Sequence, residues 1–276
     1  MTDVPNATLA NGVAMPTLGL GTSPLSDTDT EAMVGAALRA GYRLIDTAEN
    51  YRNEEGVGRA IRAGDVDPAE VFVTTKFNRR WHGVEEAQQA CANSLERLGL
   101  DRIDLLLIHW PNPEQDRYVD AWRGMQELLA DGRVRAIGVS NFKPSQLDRL
   151  AEETGLMPHV NQIQLDPRIG RATERAYHAE HGIVTESWSP LSASGHLLDE
   201  PVLGGVAQAH GKTPAQVVLR WHLQHDLVVI PRTSNPDRLP ENLDVFDFTL
   251  DDDEMASIDA LDRAGDGAVD SDRFGH

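Results

Sequence analysis

Along the chain, short apolar runs alternate with longer segments in which apolar residues recur every three or four positions. The short runs are TLGLGT (17–22), RLIDT (43–47), VFVTTK (71–76), DLLLIH (104–109), AIGVS (136–140), VNQIQL (160–165), IVTESW (183–188) and LVVI (227–230). Between them lie segments such as TDTEAMVGAALRAG, EEAQQACANSLERLG, YVDAWRGMQELLADG, PSQLDRLAEETG and TPAQVVLRWHLQH. A period near 3.6 with one apolar face predicts helices, and brief apolar runs bounded by turn residues predict buried strands. Ahead of this alternation, TLANGVAMPTLGL carries Asn11 and Gly12 between two apolar segments, which predicts a β-hairpin with a two-residue type I′ turn.

Strand starts recur every 23 to 33 residues until the last interval, which is 44. Repeated strand-helix units build parallel sheets, either open and doubly wound or closed into a barrel. Eight units in about 250 residues favour the closed (β/α)8 TIM barrel. No linker divides the chain, so residues 1–276 are read as a single α/β domain, with room for extra helices or loops near the seventh strand and the C-terminus. Residues from about 263 to 276 form a loose glycine-rich and acidic tail.

Composition narrows the function. A formal charge of −19 repels nucleic acid and anionic lipid, so an anionic ligand needs a local cluster of arginines. The one cysteine, Cys91, sits at an apolar helical position and allows no disulfide within the chain. No apolar stretch is long enough to span a membrane, and the N-terminus lacks a secretion signal, so a cytoplasmic location is expected.

Several familiar motifs fail. GLGTSP (19–24) and GVGRAI (56–61) lack the third small residue of a dinucleotide fingerprint, and Val206 stands where a phosphate loop needs its first glycine. The histidines have no metal-binding spacing, so no metal is expected. No GxSxG is present.

What remains is a set at one rim. In an eightfold barrel the loops after the C-terminal strand ends converge on the functional face. The second strand ends in Asp46 with Tyr51 in the next loop, the third in Lys76 and the fourth in His109. Singly, each has an ordinary role open to it: a helix cap, a packing phenol, a solvated lysine, a core histidine. Lys76 is also one of only three lysines, against 22 arginines. As a set they have one chemistry. An ammonium beside a phenol favours phenolate, bringing a reference pKa of about 10 toward neutrality. A carboxylate holds that ammonium, and a histidine can donate a hydrogen bond to a substrate oxygen. The set suits protonation of a carbonyl oxygen, and with no convincing nucleophile present, a hydride donor is the natural partner.

These residues resemble the aldo-keto reductase superfamily over nearly the whole chain. GYRLIDTAENYRNEEGVG (41–58), LLADGRVRAIGVSNF (128–142) and VIPRTSNPDRLPEN (229–242) are similar to its three signatures, and HWPNP and VTESWSPL are similar to the bacterial branch that includes 2,5-diketogluconate reductases. The resemblance implies a barrel that reduces aldehydes and ketones with NADPH, NADH being the lesser alternative. It implies Tyr51 as general acid, tuned by Lys76 and Asp46, and His109 as the group orienting the substrate. For the cofactor it implies Ser140, Asn141 and Gln162 at the carboxamide and Trp188 stacked on the nicotinamide. Gly21, Thr22, Asp46, Ser189, Pro190, Leu191 and Ser192 would line the cofactor's path. Arg232, Thr233 and Arg238 would take the 2′-phosphate, and Glu241 and Asn242 the adenine. Ser23, Tyr51, Trp81, His109 and Trp110 are the expected substrate contacts. Ser23 stands where many relatives have tryptophan, and Arg232 and Thr233 replace the usual lysine and serine. The expected partner is a small carbonyl compound, with no nucleic acid or membrane, and the chain is read as a monomer. A catalytically silent NADPH-binding sensor is the competing expectation.

Overall fold

A computed structural model of the protein describes residues 4–192, 196–264 and 266–276. A two-stranded antiparallel hairpin, β1 (Asn6–Thr8) and β2 (Ala14–Pro16), precedes eight parallel strands. These are β3 (Leu20–Gly21), β4 (Leu44–Asp46), β5 (Phe72–Phe77), β6 (Ile103–Ile108), β7 (Val134–Ser140), β8 (Val160–Gln164), β9 (Val184–Trp188) and β10 (Val228–Val229). They pair in sequence order from β3 to β10, each with a helix between it and the next. The circle closes where Leu18, just before β3, bridges Val229 in parallel and Val229 N–H donates to Thr17 O at 2.9 Å. All eight expected strands are present. The first and last are only two residues long, because at the closing seam regular pairing narrows to that bridge.

The hairpin differs from the type I′ expectation. Gly12 N–H donates to Leu9 O, and Leu9 N–H donates to Val13 O at 2.9 Å. Only Gly12, with φ of 83°, takes a left-handed conformation, while Asn11 keeps a negative φ. The turn is therefore a three-residue loop ending in a left-handed glycine. Asn11 instead spends its side chain on Arg135 O at 2.9 Å, tying the hairpin to β7.

Helices surround the barrel, and their sequence punctuation acts as expected. Helix Asp27–Ala40 starts on Ser26, whose hydroxyl accepts from Asp29 N–H, and ends at left-handed Gly41. Helix Pro214–Gln224 starts on a Thr213/Gln216 capping box. The inner faces of the helices pack on outward-facing strand residues such as Ile45, Val73, Leu106, Ile137 and Val139.

Alternate residues point inward. Leu44, Phe72, Leu105, Leu107, Val160 and Val228 fill the lower interior, where Leu9 and Met15 of the hairpin join them. Two residues further up β4, β5, β8 and β9 the inward positions become polar: Asp46, Thr74, Gln162 and Glu186. A hairpin plug and an apolar floor thus force the polar chemistry to the C-terminal ends of the strands.

Candidate active site

The strand register brings the rim residues together. Asp46 pairs with Thr74, so Lys76 lies two residues further along β5 on the same inward face. Lys76 pairs in turn with Leu107, and His109 lies two residues beyond that. Lys76 Nζ sits 2.7 Å from both Asp46 carboxylate oxygens and 2.9 Å from Thr47 O. It also lies 5.1 Å from the Tyr51 ring centroid, and the Tyr51 and His109 rings meet edge-on at 5.8 Å.

Burial governs the proton affinities. Desolvation pulls Lys76 down, but the charges of Asp46 and Tyr51 and the hydrogen bond to Asp46 outweigh it, leaving the ammonium held above its ordinary range. Desolvation raises Asp46 despite the nearby ammonium. Tyr51 is half-buried as a residue, yet desolvation of its hydroxyl raises its pKa, while Lys76 and a hydrogen bond to Ser23 pull only partway back. This corrects the expectation of a lowered phenol: burial outweighs the ammonium. The resting group is a protonated phenol beside a permanent cation. His109 is held well below the ordinary histidine range by desolvation first, then by the charges of Lys76 and His276, so it is neutral at pH 7 and retains one ring N–H.

Tyr51, Asp46 and His109 open onto a cleft of about 650 Å³. Of the expected contacts, its wall also holds Gly21, Ser23, Trp110, Ser140, Asn141, Gln162, Trp188, Ser189, Pro190, Leu191, Ser192 and Arg232. Gly21 is there for lack of space: a Cβ would stand 2.9 Å from Ile230 O at the barrel seam. Trp188 Nε1 donates to Asn141 Oδ1 at 2.9 Å, and Asn141 Nδ2 donates to Ser140 Oγ at 2.9 Å. Asn141 and Ser189, with φ of 65° and 54°, occupy the left-handed region at the strand ends. Arg232 continues into two smaller adjoining cavities, of about 260 and 200 Å³, whose walls hold Thr233 and Arg238 and, in the second, Glu241 and Asn242. Neither Arg232 nor Arg238 has an ion-pair partner among the described residues. On a chain of charge −19, two such arginines flanking a cavity suit an anionic group.

Three expected residues line neither the cleft nor its adjoining cavities. Lys76 lies beneath the cleft, reaching the site through Asp46 and Tyr51. Thr22 is fully buried and its hydroxyl donates to Asp46 O at 2.9 Å. Trp81 is occupied elsewhere: its indole N–H donates to both Glu49 carboxylate oxygens, at 2.9 and 3.0 Å, and its ring carries the Arg80 guanidinium at 4.8 Å. Of the two tryptophans expected at the substrate, Trp110 is the one on the wall, stacked 6.3 Å from His109.

The cleft also holds residues the sequence reading passed over. Asn50 adjoins Tyr51, and its side-chain amide meets the imidazole of His276. That imidazole stands 4.8 Å from the His109 ring. Off the cleft wall, Glu186, fully buried on β9, accepts from Gln162 Nε2 at 2.8 Å. A glutamate at an inward position of an otherwise buried strand was its available signal.

A closed barrel with an acid-base set at the C-terminal ends of its strands is the form of a barrel enzyme. The chain belongs to the aldo/keto reductase family, whose model matches residues 12–263. It is 50% identical over 258 residues to an aldo-keto reductase of Mycobacterium avium, covering 94% of this chain and 90% of that protein. It is 49% identical over 263 residues to 2,5-diketo-D-gluconic acid reductase B of a Corynebacterium species, covering 95% of each. The solved structure of a Gox0644 point mutant in complex with NADPH superposes with a TM-score of 0.93 at 43% identity, over 98% of this chain and 97% of that one.

Proposed function

We propose that the protein is an NADPH-dependent carbonyl reductase in which Tyr51 is the general acid. The observation that carries this reading is the buried ammonium of Lys76, locked onto Asp46 at 2.7 Å and set 5.1 Å from the Tyr51 ring at the foot of an open cleft. The residues fit a nicotinamide dinucleotide: the cleft that holds Tyr51 and Trp188 shares Arg232 with the smaller adjoining cavities that hold Arg238. Gln162, Ser140 and Asn141 would hold the carboxamide end, Trp188 would adjoin the nicotinamide, and Arg232, Thr233 and Arg238 would take the 2′-phosphate. Glu241 and Asn242 meet the adenine. Two similar proteins support the cofactor: the Gox0644 mutant is solved in complex with NADPH, and the Bombyx mori aldo-keto reductase in complex with NADP.

When bound, NADPH supplies a hydride to the substrate carbon. The chain's own residues do the rest. Neutral His109 donates its N–H to the substrate carbonyl oxygen and fixes its direction. Tyr51 passes its phenolic proton to that oxygen as negative charge develops there. Lys76 stabilises the phenolate that remains, and Asp46 keeps Lys76 in place and charged. Trp110, Ser23 and the tail from about 263 to 276, of which residue 265 lies outside the described residues, shape the substrate end. The chain acts as one barrel domain, its additional helices Pro201–His210 and Asp252–Asp259 packing against each other.

The test is NADPH consumption by the purified protein across a panel of aldehydes and ketones, with NADH in parallel. Turnover with NADPH exceeding that with NADH supports the reading, and tight NADPH binding with no turnover on any carbonyl refutes it.

A further inference from the structure

The polar layer above the apolar floor contains two carboxyl groups, Asp46 and Glu186, and one cation, Lys76. Asp46 on β4 has Lys76 of β5 as its counter-charge. Glu186 on β9 has none. Its register neighbours are Gln162 on β8 and Val228 on β10, so β10 brings it no charge. Among the described residues, the charged groups that act on it are Asp46 and Lys76. Its Oε2 accepts from Gln162 Nε2 at 2.8 Å, and its Oε1 is buried with no hydrogen-bond partner among the described residues.

Gln162 is held from both sides. The same Nε2 donates to Asp46 Oδ2 at 2.8 Å, so its two N–H groups serve two carboxyl groups. The amide carbonyl is then the polar atom Gln162 has left for the cleft it lines. A carboxamide N–H₂ in the cleft needs such an acceptor.

Resting on the reading of the cleft as a nicotinamide site, we propose that Glu186 is a positioning residue: it holds the Gln162 amide with its carbonyl oxygen toward the cofactor's carboxamide, and it carries a proton whose loss adds a second negative charge to the cleft floor. Burial, and next the charge of Asp46, push the Glu186 carboxyl up to about 8, so at neutral pH it holds that proton. The nicotinamide ring is cationic when oxidised and neutral when reduced. Ionised Glu186 therefore favours NADP⁺ over NADPH, and the ratio of the two affinities changes with pH.

The experiment titrates the purified full chain with NADP⁺ and with NADPH by tryptophan fluorescence, from about pH 6 to about pH 9.5, spanning the Glu186 transition. In the wild-type protein the affinity ratio should shift toward NADP⁺ by about tenfold as pH rises through that transition. Glu186→Gln keeps an acceptor for Gln162 and should bind both nucleotides within about twofold of wild type at the acid end, with the shift abolished. Glu186→Leu frees the amide and should weaken both by about tenfold at every pH. A pH shift that survives in Glu186→Gln, or wild-type affinity in Glu186→Leu, overturns the proposal. Infrared spectra without nucleotide give a second reading that does not depend on Glu186→Leu folding. A protonated-carboxyl band present in the wild-type protein at about pH 6, lost at about pH 9.5 and missing in Glu186→Gln, supports the buried acid; its absence from the wild type overturns it. Failure of the wild-type protein to bind either nucleotide refutes the cofactor reading itself, whereas tight binding with no pH shift refutes only the role of Glu186.

Discussion

Lys76 and Asp46 form an ion pair inside the barrel, 2.7 Å apart, with side chains 0% and 3% exposed. Neither charge could be there alone. Removing water from a single ion costs several kcal/mol even after relaxation, and only a well-placed partner offsets it. Lys76→Met should therefore destabilise the protein by about 3–5 kcal/mol by stranding the Asp46 carboxylate. Adding Asp46→Asn should recover much of that loss, because the stranded charge is gone. Chemical denaturation of the wild type and the two variants measures both effects; a single variant as stable as the wild type contradicts the pair's structural role.

Arg238 flanks the small cavity beyond Arg232, with no ion-pair partner among the described residues. Its removal should weaken NADPH by about tenfold to a hundredfold, the range of a lost charge-assisted hydrogen bond to phosphate. NADH, which lacks the 2′-phosphate, should lose little. Fluorescence titration with both nucleotides checks this, and equal losses would refute the assignment.

Glu186 also makes a prediction about stability without any ligand. Its carboxyl is raised from 4.5 to about 8 in the folded protein. A raised folded-state value means that the native state holds a proton the unfolded chain has released. Stability from this group is fully present below about 4.5, declines through the window and is lost above about 8. Between the two limits the wild type should lose roughly 3–5 kcal/mol more than Glu186→Gln does. Denaturant midpoints of both proteins at the two ends of the window measure the difference; parallel curves would contradict it.

The tail is tied down by charge. Lys143 Nζ donates to Asp270 Oδ1 at 2.8 Å and to Asp272 Oδ2 at 2.5 Å, and the tail then carries His276 to the cleft wall. These pairs are 40–49% exposed, so they add little to global stability. Lys143→Ala should leave the melting temperature nearly unchanged while raising KM for a test aldehyde by about two- to fivefold, the kinetic equivalent of an exposed pair. Unchanged KM would show that the tail is held by other contacts.

The barrel was legible because its strands and helices have different periods, and because strands buried on both faces read as near-continuous apolar runs. Asp46, Lys76 and His109 were legible as strand-end residues, and Tyr51 as the loop residue beyond Asp46, since those positions carry their own meaning in a barrel. Trp81 was misplaced because spacing along a loop cannot say which way the loop turns; Glu49 and Arg80 hold its indole away from the cleft. The direction of the Tyr51 shift was missed for a related reason. The neighbouring ammonium is visible in the sequence, but the extent of desolvation is a three-dimensional quantity. Glu186 was hidden in plain view, an acid within IVTESW whose meaning depends on Gln162 and Asp46 from two other strands.

The central claim is that the phenolic proton of Tyr51 reaches a substrate oxygen. Tyr51→Phe removes that proton and keeps the ring, so the packing against His109 and Lys76 stays in place. Steady-state reduction of a simple aldehyde, with NADPH binding measured on the same preparation, is the most direct test. The account predicts a fall in kcat of about a hundredfold to ten-thousandfold, the usual contribution of a positioned acid, with NADPH affinity retained. Full activity in Tyr51→Phe would contradict it.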